Sequence, residues 1–360
     1  MDYSKLLSKT VVELQPSGIR KFFDMLSGRG DVVALTVGQP DFATPWHVRE
    51  TGIISLERGY TYYTSNAGTV PLRRELSSYM KRRFGLCYDP MTEIVVTVGG
   101  SEAIDLAIRA TVEPGDEVII PEPSFVCYEP ITRLCGGVPV PVTTLPENDF
   151  KLTADALLPL REVLKGTNVA VLSDEIYSEL TYGYRHTSIA TLPGMAERCI
   201  VVNGFSKAYA MTGWRLGFVC APPEITKQML KIHQYAIMCA PTTSQLAAVE
   251  ALKNGDPDIE MMRAEYDKRR KYIVEELNRI GLPCFEPKGA FYVFPYIGGF
   301  GMSSEQFCER LLNEGKVAIV PGTAFGKGGE GYARISYAYS VKHITEAIER
   351  IERFVSKLKK

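Results

Sequence analysis

Short runs of β-branched and apolar residues recur along this chain, and most are followed by stretches in which apolar positions return every three or four residues. Ile94-Val95-Val96-Thr97-Val98 leads through Gly99-Gly100-Ser101-Glu102 into Ala103-Ile104-Asp105-Leu106-Ala107-Ile108, which reads as strand, glycine turn and helix. Glu117-Val118-Ile119-Ile120, Val138 to Val142, Val169 to Leu172, Cys199 to Val202 and Leu216 to Val219 read as further strands of one sheet. Strands alternating with helices predict a mostly parallel sheet covered on both faces. After Pro241 the texture changes. Gln245 to Lys253 and Ile259 to Ile280 predict long charged amphipathic helices, followed by strands at Phe291 to Phe294, Val317 to Val320 and Tyr332 to Ser336, and a basic helix from Val341 to Lys359. A second domain is expected to begin there.

Composition narrows the class. A chain of 360 residues exceeds what one ordinary core supports. Its 45% hydrophobic and 23% charged residues suit a globular enzyme, and a net charge of -1 offers no bulk attraction to nucleic acid or anionic lipid. The expected partners are therefore small molecules, with no nucleic acid and no membrane. The 8 cysteines form no Cys-x-x-Cys pair and there are only 4 histidines, so they read as reduced core thiols and no metal site is expected. The first residues show no apolar leader and no run approaches a membrane span, which predicts a cytoplasmic protein.

The densest chemistry lies in Gly204-Phe205-Ser206-Lys207-Ala208-Tyr209-Ala210-Met211-Thr212-Gly213-Trp214-Arg215-Leu216-Gly217. The Ile200-Val201-Val202 run predicts a buried strand delivering Lys207 to a site in the loop beyond it. A lysine can form a Schiff base and an arginine can grip a phosphate in a fork. The Gly99-Gly100 turn into a helix offers unpaired N–H groups to an anion. Asp174 and Tyr177 close a buried run in Val171-Leu172-Ser173-Asp174-Glu175-Ile176-Tyr177.

The segment around Lys207 resembles the lysine signature of the class I and II aminotransferases, which use pyridoxal phosphate, and four further segments arrive in that family's order. The resemblance implies an α/β fold. A large pyridoxal-phosphate-binding domain over 41–240 would carry a mostly parallel, seven-stranded-type sheet sandwiched by helices. A smaller α+β C-terminal domain would span 241–360, and residues 1–40 would form an N-terminal arm packing with the small domain. The resemblance also implies roles. Lys207 would bind the cofactor carbonyl and move the substrate proton. Asp174 would keep the pyridine nitrogen protonated and Tyr177 would hold the ring oxygen. Gly100, Ser101, Glu102, Ser206 and Arg215 would bind the phosphate, with Phe125 stacked on the ring. Arg334, in Gly331-Tyr332-Ala333-Arg334-Ile335-Ser336, would bind the substrate carboxylate beside the Gly38 backbone. Tyr63 would reach the neighbouring subunit's phosphate, which implies a homodimer with shared sites.

The expected activity is ping-pong transfer of an amino group from an L-amino acid of the aspartate, aromatic or alanine kind to a 2-oxo acid. Tyr62, Tyr128 and Tyr209 offer aromatic surface for larger substrates. A C–S β-lyase is the alternative that uses the same fold and motifs.

In one place the chain departs from the family. Between Phe150-Lys151-Leu152-Thr153 and Asn168-Val169-Ala170 it is short by about one βα unit, of the order of 30 residues. The family's N-P-x-x-G loop, whose asparagine touches both cofactor and substrate, occurs nowhere in the sequence. Three readings stay open: a segment of the molecule outside these 360 residues, a deliberate deletion, and a naturally shortened paralogue. The intact flanks favour the first. Thr153 to Lys165 reads as one amphipathic helix, so the sheet is expected to be one strand short. A catalytically impaired pyridoxal-phosphate-binding scaffold is the non-enzymatic alternative.

Overall fold

The computed structural model describes residues 1, 3–19, 30–152 and 154–359. Eleven strands are found among them: β1 Val33–Ala34, β2 Ile94–Thr97, β3 Glu117–Glu122, β4 Val138–Thr143, β5 Val171–Asp174, β6 Cys199–Gly204, β7 Gly217–Cys220, β8 Tyr292–Val293, β9 Val317–Ala318, β10 Val320–Pro321 and β11 Ala333–Ser336. The expected alternation of strands and helices is present, and the fold is α/β.

The central sheet runs in the order β2-β7-β6-β5. Strand β5 pairs parallel to β6, while β7 is antiparallel to both β6 and β2, so three of the four strands run the same way. The expectation of one sheet is corrected in part. Among the described residues, strands β3 and β4 pair in parallel with each other and with no other strand, which leaves β5 and β3 each with an open edge. The sheet is divided on either side of the segment where the sequence is short. Helix Ala154–Leu164 is joined to β5 by a short loop, with no strand between them.

Helix Gly100–Thr111 lies against β2, β5, β6 and β7 and buries Ala103, Ile104, Leu106, Ala107 and Ile108, the apolar face its 3.6-residue period dictates. These residues share a cluster with Val95, Ile200, Val202 and Val219 of the sheet. A second cluster on the opposite face joins Val96, Val201 and Phe218 to helices Trp46–Glu57, Val70–Phe84 and Thr242–Asn254. A third cluster gathers β1, β8, β9, β11 and the helices Asp256–Arg279 and Val341–Leu358. Helix Asp256–Arg279 belongs to both sides, with Ile259 in the second cluster and Met262 to Leu277 in the third. No helix among the described residues is long and apolar enough to cross a membrane.

Candidate active site

A cavity of about 1090 Å³ opens at the ends of β5 and β6, and its wall includes Gly38, Gly100, Ser101, Phe125, Asp174, Tyr177, Ser206, Lys207, Arg215 and Arg334. Ten of the twelve residues singled out from the sequence therefore meet in one place, although they come from positions up to 296 apart in the chain. Ile104 and Tyr128 of the first cluster and Tyr177, Tyr292 and Val293 of the third line it.

Lys207 stands in a four-residue helix, Phe205–Ala208, that follows β6 directly. Every residue of β6 is buried, so the strand is a fixed base for the lysine. Its Nζ donates to the Gly38 carbonyl oxygen at 2.5 Å. Burial, helped by the positive charges of Arg334 and Arg215 and opposed by Asp174, lowers its pKa to about 8. An amine poised there is available as a nucleophile and as a base near neutral pH.

Asp174 ends β5 and points into the same cavity. The Tyr128 hydroxyl donates to its Oδ2 at 2.8 Å and the Ile176 N–H to its Oδ1 at 3.2 Å. Burial raises its pKa and these two hydrogen bonds oppose the rise. The Tyr177 hydroxyl lies 2.7 Å from that of Tyr292, and burial raises the pKa of both phenols, so each keeps its proton.

The turn expected to hold the phosphate rests on glycine for a geometric reason. Gly99 has φ +78°, and a Cβ there would lie 2.7 Å from Arg215 Nη2. A Cβ on Gly217 would lie 2.5 Å from the Gly99 carbonyl carbon, so two backbone segments touch where a side chain would separate them. Arg215 itself adopts a left-handed backbone, φ 51°, with Nη1 donating to the Thr212 carbonyl at 3.1 Å. Strain of this kind at a non-glycine residue is held by its surroundings and clusters at binding sites. The N-terminus of helix Gly100–Thr111 adds free N–H groups and the positive end of its dipole.

Arg334 lies on β11. Its Nη2 donates to the Thr36 carbonyl at 2.6 Å, and its guanidinium sits between the rings of Tyr292 and Phe325, 4.5 and 4.7 Å from their centroids. Its buried Nε has no partner among the described residues. A buried cation with an unspent donor, facing a cavity, is matched to a carboxylate.

Two expected residues are not brought to the cavity wall. The Glu102 carboxylate accepts from the Val98 N–H and pairs with His233 Nδ1 at 2.7 Å, so its side chain closes the turn in front of the helix. Tyr63 is 77% exposed on a loop tied down by Gln245, which donates to Thr64 Oγ1 at 2.9 Å. The suggested aromatic surface is corrected too. Tyr209 is buried in the second cluster and Tyr62 is exposed, so of these three tyrosines Tyr128 lines the cavity, bonded to Asp174. Tyr292 was not singled out from the sequence. Its signal was faint, because Phe291-Tyr292-Val293-Phe294 reads as any apolar strand.

The family model described as "Aminotransferase class I and II" matches residues 30–162 and 158–351. The chain belongs to the class I and II aminotransferases. The two matches meet at 158–162, inside the stretch where the sequence is short. The putative aminotransferase YugH of Bacillus subtilis is 52% identical over 380 aligned positions, covering 98% of each chain. That alignment is longer than the 360 residues here, so the relative has positions without a counterpart in this aminotransferase. The aspartate aminotransferase of Pyrococcus abyssi is 43% identical, over 96% of this chain and 97% of its own. The crystal structure of an aromatic aminotransferase from Pyrococcus horikoshii superposes with a TM-score of 0.89 at 41% identity, covering 95% and 99% of the two chains.

As a member of this family the aminotransferase transfers amino groups of amino acids and uses pyridoxal phosphate. The cavity fits that cofactor. It combines a lysine of lowered pKa, a carboxylate beside it, a glycine-and-arginine cradle for the phosphate and an arginine with a free donor.

Proposed function

We propose that this cavity carries out the transamination with Lys207 as its reactive group, and that the observation carrying the assignment is the Lys207 amine itself. It shares the cavity with Asp174, Arg215 and Arg334, all of which act on its charge, and its pKa is lowered to about 8. Pyridoxal phosphate, when bound, supplies a carbonyl for amines and an electron-withdrawing ring. Lys207 Nζ would hold the cofactor and is placed to act as the base for the proton of the substrate α-carbon. Asp174 would keep a proton on the pyridine nitrogen, and Tyr177 would donate to the ring oxygen. Gly100, Ser101, Ser206 and Arg215 would grip the phosphate, Phe125 would cover the ring, and Arg334 would take the substrate carboxylate beside Gly38. The Glu102 amide belongs to the same helix N-terminus, and its carboxylate braces the turn.

The wider organisation is proposed on the same basis. A homodimer is supported by the exposed aromatic and apolar surface of Tyr60, Tyr62, Tyr63, Tyr235, Ile237 and Met238, with Tyr63 serving the partner's site. Of the expected division into 1–40, 41–240 and 241–360, the first segment's packing with the small domain is supported by Val33 and Leu35 in the third cluster, while helix Thr242–Asn254 packs in the second cluster and favours a boundary within helix Asp256–Arg279. A cytoplasmic location is the reading that fits amino acids and 2-oxo acids as partners. The relatives' names span aspartate and aromatic substrates, and the preferred donor is left to assay.

The test is to mix the loaded protein with single amino acids and identify products by mass spectrometry. Formation of the matching 2-oxo acid, dependent on Lys207, supports this reading. Pyruvate and ammonia without an acceptor would move the assignment to a lyase, and no product would move it to a scaffold.

A further inference from the structure

Tyr292 stands between the two ends of the cavity that must act together. Strand β8 pairs antiparallel with β11, Tyr292 opposite Ser336, so Arg334 is its diagonal neighbour on the same face. The Arg334 guanidinium lies against the Tyr292 ring at 4.5 Å, while the Tyr292 hydroxyl is 2.7 Å from that of Tyr177. One residue therefore touches both the group that faces the substrate carboxylate and the group that faces the cofactor ring.

The hydrogen count of the pair is informative. Two hydroxyls 2.7 Å apart share one donation, which leaves one O–H unspent. Neither phenol has another hydrogen-bond partner among the described residues, and both line the cavity. Buried donors of this kind are ordinarily satisfied, so the free O–H calls for an acceptor that enters the cavity. If Tyr292 donates to Tyr177, the Tyr177 proton is the free one, and a donor that itself accepts a hydrogen bond is strengthened.

The hydroxyl is also locked in place. A Cβ on Gly38 would lie 2.0 Å from Tyr292 Oη, so the oxygen fills the space left by that glycine's missing side chain. The Gly38 carbonyl in turn accepts from Lys207.

On the reading given above, we propose that Tyr292 is a positioning residue with two separable parts: its hydroxyl donates to Tyr177 and aims that phenol's proton at the cofactor ring oxygen, and its ring holds the Arg334 guanidinium for the substrate carboxylate. A donor to the ring oxygen stabilises its anion, so the proton held beside it leaves at lower pH. Weakening that donor moves the transition upward.

The experiment is a pH titration of the visible absorbance of the pyridoxal-phosphate-loaded protein, with KM for the amino acid measured in parallel. Tyr292→Phe keeps the ring and removes the hydroxyl. The expected result is a midpoint raised by about half a pH unit or more, with KM within about twofold of wild type. Tyr292→Leu removes both parts, and KM is expected to rise about tenfold in addition. Gly38→Ala, which displaces the hydroxyl from the other side, should raise the midpoint in wild type and add little in the Tyr292→Phe background. An unchanged midpoint in Tyr292→Phe overturns the hydroxyl's role, and an unchanged KM in Tyr292→Leu overturns the ring's. If Tyr292→Phe fails to fold, an unchanged midpoint in Gly38→Ala overturns the hydroxyl's role. Failure of the wild type to develop a Lys207-dependent visible band would overturn the cofactor reading instead.

Discussion

Strands β6 and β7 are buried at every position, whereas β4 is exposed at four of its six and β3 carries Ile119 at 69% exposure. Both pairs are built from similar β-branched sequence. The difference lies in their neighbours: β6 and β7 are flanked by strands on both sides and helices on both faces, while β3 and β4 have only each other in the sheet. Val138, Val142, Leu145, Leu152, Val163 and Val169, all exposed, gather along the same part of the chain. The comparison teaches that burial in this sheet follows from continuity, and that the half carrying Lys207 and Arg215 is the continuous one.

The largest expected effect breaks the site at that half. Lys207→Ala should lower transamination by about 10⁴-fold or more in a single-turnover assay, since one amine serves as cofactor anchor and base. Arg334→Leu should reduce kcat/KM by about 10²-fold, the worth of a charge-assisted carboxylate contact. On stability the two halves should part. Val201→Ala in β6 opens a cavity in a closed core and should cost about 2 kcal/mol in urea unfolding. Val142→Ala in β4, already half in water, should cost less than about 0.5 kcal/mol, and an equal cost at the two sites would refute the contrast.

A pH measurement sharpens the same point at Lys207. Its folded pKa, about 8, lies below the ordinary 10.5. Below pH 8 both folded and unfolded chains are protonated there, and the folded state bears the cost of the buried charge. Between the two values the unfolded chain binds more protons, so the stability of the cofactor-free protein should rise with pH. Lys207→Met should abolish that rise, and urea midpoints across this range would show it.

Much of the site was legible in sequence, because Lys207, Asp174 and Arg215 sit in or beside short segments whose strand ends and glycines fix them locally. Tyr292 and Tyr128 were not read as partners, since a tyrosine that bonds a catalytic neighbour has the same apolar surroundings as one filling a core, and Tyr209 is the converse case. Glu102 was read for its amide at the helix N-terminus, and the use of its carboxylate by the turn and His233 left no mark in the sequence. The divided sheet was foreshadowed only by a short stretch, because pairing between distant strands leaves no mark on either one.

The contact between Gly217 and Gly99 sets the distance from the lysine's strand to the phosphate turn by main-chain atoms alone. On the proposed roles, neighbouring side chains can change during divergence, altering which amino acid is accepted, while the gap between the Lys207 strand and the Gly99 turn stays constant.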